Sequence, residues 1–210
     1  MPWVDDEIVR RRVMQAGFGR GFGFWAAALS LQTQRLRELL DAWDAVEELP
    51  YTVGSGEWLS NWHLKAQADA HYLVLGVRHV IRHAFKFRDL IGTVDPRPAA
   101  ALAAFADRIG TGTETIRDLR DMLEHWDEWS FTDKPYQGKM LVRPPGLIAD
   151  QLQVMPRDSD LWVGLGGMDL PLIEVAAAAI ALADELGQSL REAISPPGIA
   201  PGGFVTPVGP

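Results

Sequence analysis

Apolar positions recur at helical spacing over most of the chain, and the interruptions between those runs set the element boundaries. From about Ala26 to Leu49, residues Leu29, Leu36, Leu39, Leu40, Trp43 and Val46 fall on one face, and Pro50 closes the run. This spacing predicts a first long helix. The turn-rich stretch YTVGSG precedes a second periodic region, about Trp58 to Leu90, whose apolar face carries Leu73, Val77, Val80, Ala84 and Phe87. At about 1.5 Å per residue it would extend roughly 45–50 Å. DPRP breaks the chain, and the alanine-rich run around Leu102 and Phe105 predicts a short helix closed near Gly110.

Thr111 and Glu114 stand at capping-box spacing before the stripe Ile116, Leu119, Leu123 and Trp126, which predicts a helix running to about Trp129. From Ser130 to Gly167 the pattern changes to short apolar segments, LQVM and LWVGL, separated by PRDSD, and reads as a small β-hairpin at about 150–167. Asp169 is placed to cap a last helix from about Leu170 to Ile194. Residues 1–25 read as a lead-in carrying Phe18, Phe22, Phe24 and Trp25 to pack on the body. The Pro/Gly-rich residues 195–210 hold too little continuous apolar surface to repay their ordering and are expected to be disordered or loosely docked. The expected architecture is one all-α domain over residues 26–194, a four- to five-helix bundle with a small hairpin before the last helix.

Composition narrows the function. The 210 residues are 47% hydrophobic and 23% charged, with no apolar run of membrane-spanning length, so no membrane partner is expected. The N-terminal segment lacks the pattern of a secretory signal, which places the protein in the cytoplasm as an expectation. Zero cysteines exclude disulfides, thiolate nucleophiles and Cys-bearing metal sites. A net charge of -8 opposes generic attraction to nucleic acid, so any RNA contact has to be local.

The segment RDMLEHWDEW, Arg120 to Trp129, carries the densest candidate chemistry. On a helical wheel Ile116, Leu119, Met122, Leu123, Trp126 and Trp129 share one arc, and Arg120 and His125 fall near its two borders. Asp121 and His125 are four apart, so the carboxylate can orient the imidazole and favour its charged form. Arg120 and His125 lie about 140° apart around that wheel, and a second surface has to bring them to one substrate. The same residues also fit a charged helix face, with Arg117–Asp121 and Arg120–Glu124 as ordinary four-apart pairs. Glu124, Asp127 and Glu128 around the histidine oppose RNA.

RDMLEH, Arg120 to His125, resembles the R-[polar]-x3-H motif of the HEPN superfamily, helical bundles of which many members are metal-independent endoribonucleases. AQADAHYLVLGVRHVIRHA, followed by LRDMLEHWDE and a hairpin before a last helix, is similar to small bacterial HEPN-like proteins, and the resemblance extends over residues 26–194. It implies a homodimer that assembles two motifs in one cleft, and RNA cleavage by the 2′-hydroxyl without metal or cofactor. In that reading His125 is the acid or base, Arg120 grips the phosphate and Asp121 orients the ring. The alternative is a non-catalytic bundle whose surface binds another protein.

The other candidates lie on the second helix. VRHVIRHAFKFR concentrates Arg78, Arg82, Lys86 and Arg88 with Phe85 and Phe87 interleaved, so Arg78, Arg82 and Lys86 are the expected contacts to an RNA backbone. Pairing with surface carboxylates is the plainer use of the same residues. His79 and His83 are four apart, but HVIRH lacks the glutamate of HExxH and a third ligand, so no metal is expected. GFGRGFGFW lacks the spacing of a phosphate-binding glycine loop, and no GxSxG occurs. The eight tryptophans read as core and groove fillers, with Trp58 and Trp62 as a possible partner surface.

Overall fold

The computed structural model describes residues 7–9, 21–47, 55–93, 95–110, 116, 117, 120, 153–165 and 168–194. Among them run helices α1 (Phe22–Glu47), α2 (Ser55–Ile91), α3 (Arg97–Ile109) and α4 (Leu172–Ile194), with strands β1 (Gln153–Arg157), β2 (Asp160–Leu165) and β3 (Met168–Pro171) directly before α4. The chain is therefore a mainly α-helical bundle with a small antiparallel sheet, strand order β1-β2-β3. No described helix is long and apolar enough to cross a membrane. The expected tail from Ser195 lies outside the described residues.

Helix α1 buries Phe22, Ala26, Leu29, Thr33 and Leu36, spaced alternately four and three apart, and its other sides carry charge. Thr33 is tolerated inside because its hydroxyl donates to the Leu29 carbonyl at 2.7 Å. Helix α2 buries a much wider face, from Trp62 through Leu73, Val77, Ile81 and Ala84 to Ile91, because it packs on α1, α3, α4 and β1 together. Each such Val, Leu or Ile contributes about 1.5–3 kcal/mol. Helix α4 inserts small side chains, among them Ala176, Ala179 and Ala183, which let α1 and α3 come close. Gly76 does the same for α1 and α2, since a Cβ there would stand 2.8 Å from Leu29 Cδ2.

Helix α1 begins at Phe22, four residues before the expected start, so Phe22, Phe24 and Trp25 belong to its first turn instead of a lead-in. Glycines at 21 and 23 obscured this start, but burial of Phe22 against α2 outweighs the helix cost of Gly23. Helix α3 follows the expected pattern closely, ending on Gly110 at φ 65, a left-handed position that glycine adopts without steric cost.

The junction of α2 and α3 is tied to α4 through charge. Arg97 binds the buried Asp95 through Nη2 at 2.7 Å and Glu192 of α4 through Nη1. Asp95 Oδ1 also accepts the Arg97 backbone N–H at 3.0 Å. The guanidinium hydrogen bonds hold the carboxyls of both Asp95 and Glu192 below their ordinary values of 3.8 and 4.5. Carboxyls lowered on folding add stability above those ordinary values and lose it as pH falls through the lower folded ones. Urea titrations of parent and Arg97→Met proteins should therefore differ most at neutral pH and converge below about pH 4. The expected neutral difference is only about 1–3 kcal/mol, because the Arg97 side chain is 40% exposed and water screens the bridge.

The hairpin lies where expected, with Arg157 paired to Asp160 across a two-residue turn. Its central residues, Asp158 and Ser159, have φ of 53° and 61°, the geometry of a type I′ turn that Asn-Gly adopts most easily. Ser159→Gly is expected to raise stability by about 0.5–1 kcal/mol, read as a higher urea midpoint with unchanged slope.

Two features of this region depart from the sequence reading. A third strand, β3, extends the hairpin by pairing with β2, and α4 begins at Leu172, two residues later than expected. Asp169 lies in β3 and is not its cap. That role falls to Asp160 at the start of β2, whose carboxylate accepts the N–H groups of Ile173 at 2.8 Å and Glu174 at 2.9 Å. It also accepts its neighbour Leu161 N–H at 2.6 Å. Burial pushes the Asp160 carboxyl up, against the pull of these three donors. A cap supplied from 13 residues away leaves no local sequence signature.

Candidate functional site

The expected helix that carries the motif is described at three positions, all helical, and the motif itself only at Arg120. Ile116 is fully buried in the same core as α2 and α4, and Arg117 and Arg120 are half-buried. Arg120 stands four residues beyond the buried Ile116 and is itself half-buried, as a border position on the wheel predicts. It already engages another group of the chain. Asp121 and His125 lie outside the described residues, as do the expected cap Thr111 and Glu114.

The basic residues of α2 separate into distinct environments. Arg78 is half-buried and engaged elsewhere in the chain. Arg88 pairs with Asp89 at 2.7 Å and lies 4.7 Å over the Phe85 ring, and Phe87 is a core side chain and no part of any basic surface. Arg82 and Lys86 remain exposed, and among the described residues neither forms an ion pair or hydrogen bond. On an acidic chain, two unpaired cations one helical turn apart are a local exception to the overall field.

Beside them an aromatic row crosses from α1 to α2. Trp25 stacks parallel on His79 with ring centroids 4.2 Å apart, and Phe24, 52% exposed, meets Trp25 in a T-shaped contact at 5.1 Å. Phe22 sits edge-on to both His83 and Phe87. His83 Nδ1 lies 2.7 Å from the His79 carbonyl, a contact that commits one ring nitrogen to the backbone. The two imidazoles are 6.5 Å apart, and among the described residues no three His, Asp or Glu side chains converge as a metal site. Both rings make stacking or edge-on contacts with α1, His79 with Trp25 and His83 with Phe22. The small Gly76 permits the helix approach that brings Trp25 onto His79, so neither histidine could be assigned from α2 alone.

Farther along the helix pair, Asp69 is buried and binds Arg35 of α1 at 2.9 Å, while His71 stacks loosely on exposed Tyr72. The two side chains face different partners. Trp62 is 3% exposed and donates its indole N–H to the Leu39 carbonyl at 2.8 Å, with Trp43 packed 4.8 Å from it. Trp62 is thus core, and Trp58 is half-buried at its edge.

Compared with known proteins, the chain matches no family model, no curated protein and no solved structure. The residues that sequence reading passed over are Phe24 and Trp25, of which Trp25 is brought onto His79 of α2 by the α1–α2 pairing and Phe24 packs on Trp25. The available signal was the adjacency of Phe22, Phe24 and Trp25 to the first predicted helix.

Proposed function

We propose that this protein is a HEPN-like, metal-independent endoribonuclease, active as a homodimer that brings Arg120 of one motif and His125 of another to a single phosphate. Arg120 binds the phosphate through its guanidinium fork, Asp121 orients the imidazole, and His125 exchanges the proton of the attacking 2′-hydroxyl or the leaving 5′-oxygen. The observation that supports this most directly is the half-buried Arg120 four residues after Ile116, which is fixed in the core. A half-buried position close to a core anchor can meet a second protomer while keeping its backbone rigid. Arg82 and Lys86 supply cations for an RNA backbone elsewhere on the same bundle.

The test is to incubate the purified dimer with mixed-sequence RNA in EDTA and to look for cleavage products with 2′,3′-cyclic phosphate ends. Such products support the reading, and intact RNA in the presence of folded, dimeric protein counts against it. A second reading, a non-catalytic protein that docks another chain, is favoured by the exposed apolar residues Phe24, Leu31, Leu64 and Tyr72 on the two long helices.

A further inference from the structure

We propose that the face where the start of α1 meets the second half of α2 binds single-stranded nucleic acid, with a base stacked on Phe24 and consecutive phosphates held by Arg82 and Lys86. This deepens the ribonuclease reading and rests on it for the identity of the polymer as RNA. The patch also makes a claim of its own, because it involves none of Arg120, Asp121 or His125.

Three features meet here. First, Arg82 and Lys86 lie four residues apart, about 6 Å along the helix, a step that a single-stranded backbone spans between neighbouring phosphates. Both are exposed and unpaired among the described residues, although the chain has 28 acidic residues against 20 Lys and Arg. The nearest acidic neighbour on the helix, Asp89, is occupied by Arg88.

Second, the row Phe24–Trp25–His79 runs from solvent on α1 to the α2 stripe. His79 is three residues from Arg82, so Arg82 adjoins the row by helix geometry, and Lys86 is three residues from His83, whose ring lies 6.5 Å from that of His79. Third, Phe24 packs edge-on to a Trp25 that is itself stacked on His79, which holds one exposed aromatic ring at this surface. Aromatic faces beside cations are how strands are held without sequence preference, and a paired duplex cannot offer its base faces to them. The overall charge of -8 repels the rest of the polymer, so contact is confined to a few nucleotides.

The experiment is fluorescence anisotropy with an eight-nucleotide mixed-sequence RNA, the DNA of the same sequence, and the matching duplex, all in EDTA. It uses full-length His125→Ala protein, so that cleavage cannot enter the readout. Both single strands are expected to bind more tightly than the duplex, and preference for RNA over DNA reports 2′-hydroxyl recognition. Adding Phe24→Ala should weaken single-strand binding by about tenfold or more with little change in salt dependence. Adding Arg82→Ala or Lys86→Ala should each reduce the slope of log affinity against log salt by about 0.7. Arg108→Ala, an exposed cation on α3, serves as the control and should change neither quantity.

Phe24, Arg82, Lys86 and Arg108 are all exposed, and circular dichroism checks that each variant is folded. Equal binding by parent and Phe24→Ala, salt slopes unchanged by both cation variants, or no single-strand binding at all would overturn the proposal. RNA cleavage by the parent without dependence on this patch would leave the ribonuclease standing and remove the track. Patch-dependent binding without cleavage would do the reverse.

Discussion

Replacing His125 with alanine is expected to slow RNA cleavage in EDTA by about 100- to 10,000-fold, the range that a positioned acid or base contributes to proton transfer. Histidine is the side chain whose ordinary titration lies closest to neutral pH, so in the proposed reaction no other residue of RDMLEH can both take and return the proton. Arg120→Lys separates charge from geometry: it keeps one positive charge but loses the planar fork, and should retain only part of the parent rate. The measurement is an initial rate on a fluorogenic RNA, with His63→Ala prepared identically. His63 packs edge-on against Trp62, far along α2 from the stripe, and its loss should leave the rate unchanged. Equal rates for parent and His125→Ala proteins would remove the catalytic assignment.

Asp160→Ala should carry the largest stability effect of any surface-proximal polar change, about 2–4 kcal/mol. The capping contribution alone is about 1–2 kcal/mol, and the substitution leaves the donors of Leu161, Ile173 and Glu174 without their carboxylate at a partly buried junction. Because Asp160 belongs to β2 and its partners to α4, the loss loosens the sheet and the last helix together. Asp160→Asn separates the contributions, since its amide oxygen can replace one acceptor oxygen while its NH2 group cannot accept from the remaining N–H. Its loss should fall between parent and alanine. Urea unfolding followed by tryptophan fluorescence and by far-ultraviolet circular dichroism gives both values. A change below about 0.5 kcal/mol for Asp160→Ala would show that the cap is dispensable.

Much of the fold was legible in the chain because it depends on local pattern. The periods of α2 and α4, the closure of α3 at Gly110 and the presence of a hairpin before the last helix follow from side-chain spacing and turn chemistry. The places where expectation and structure differ share one cause, contact between segments distant in the chain. Helix α1 starts at Phe22 because that ring packs on Phe87, 65 residues later, and α4 is capped by Asp160 across a strand that the alternation did not reveal.

The candidate site divides the same way. RDMLEH is a property of the sequence, and its reading as chemistry came from resemblance and residue type. That Phe87 is core, that Arg88 is taken by Asp89, and that Arg82 and Lys86 are left unpaired among the described residues are facts of packing, which no spacing rule contains. By itself the sequence determined a mainly helical bundle, because apolar periodicity dictates which faces must leave water. The tertiary structure alone decided which charged and aromatic side chains stayed at the surface together, because that depends on which helices meet and how closely, and here Gly76 sets the approach that brings Trp25 onto His79.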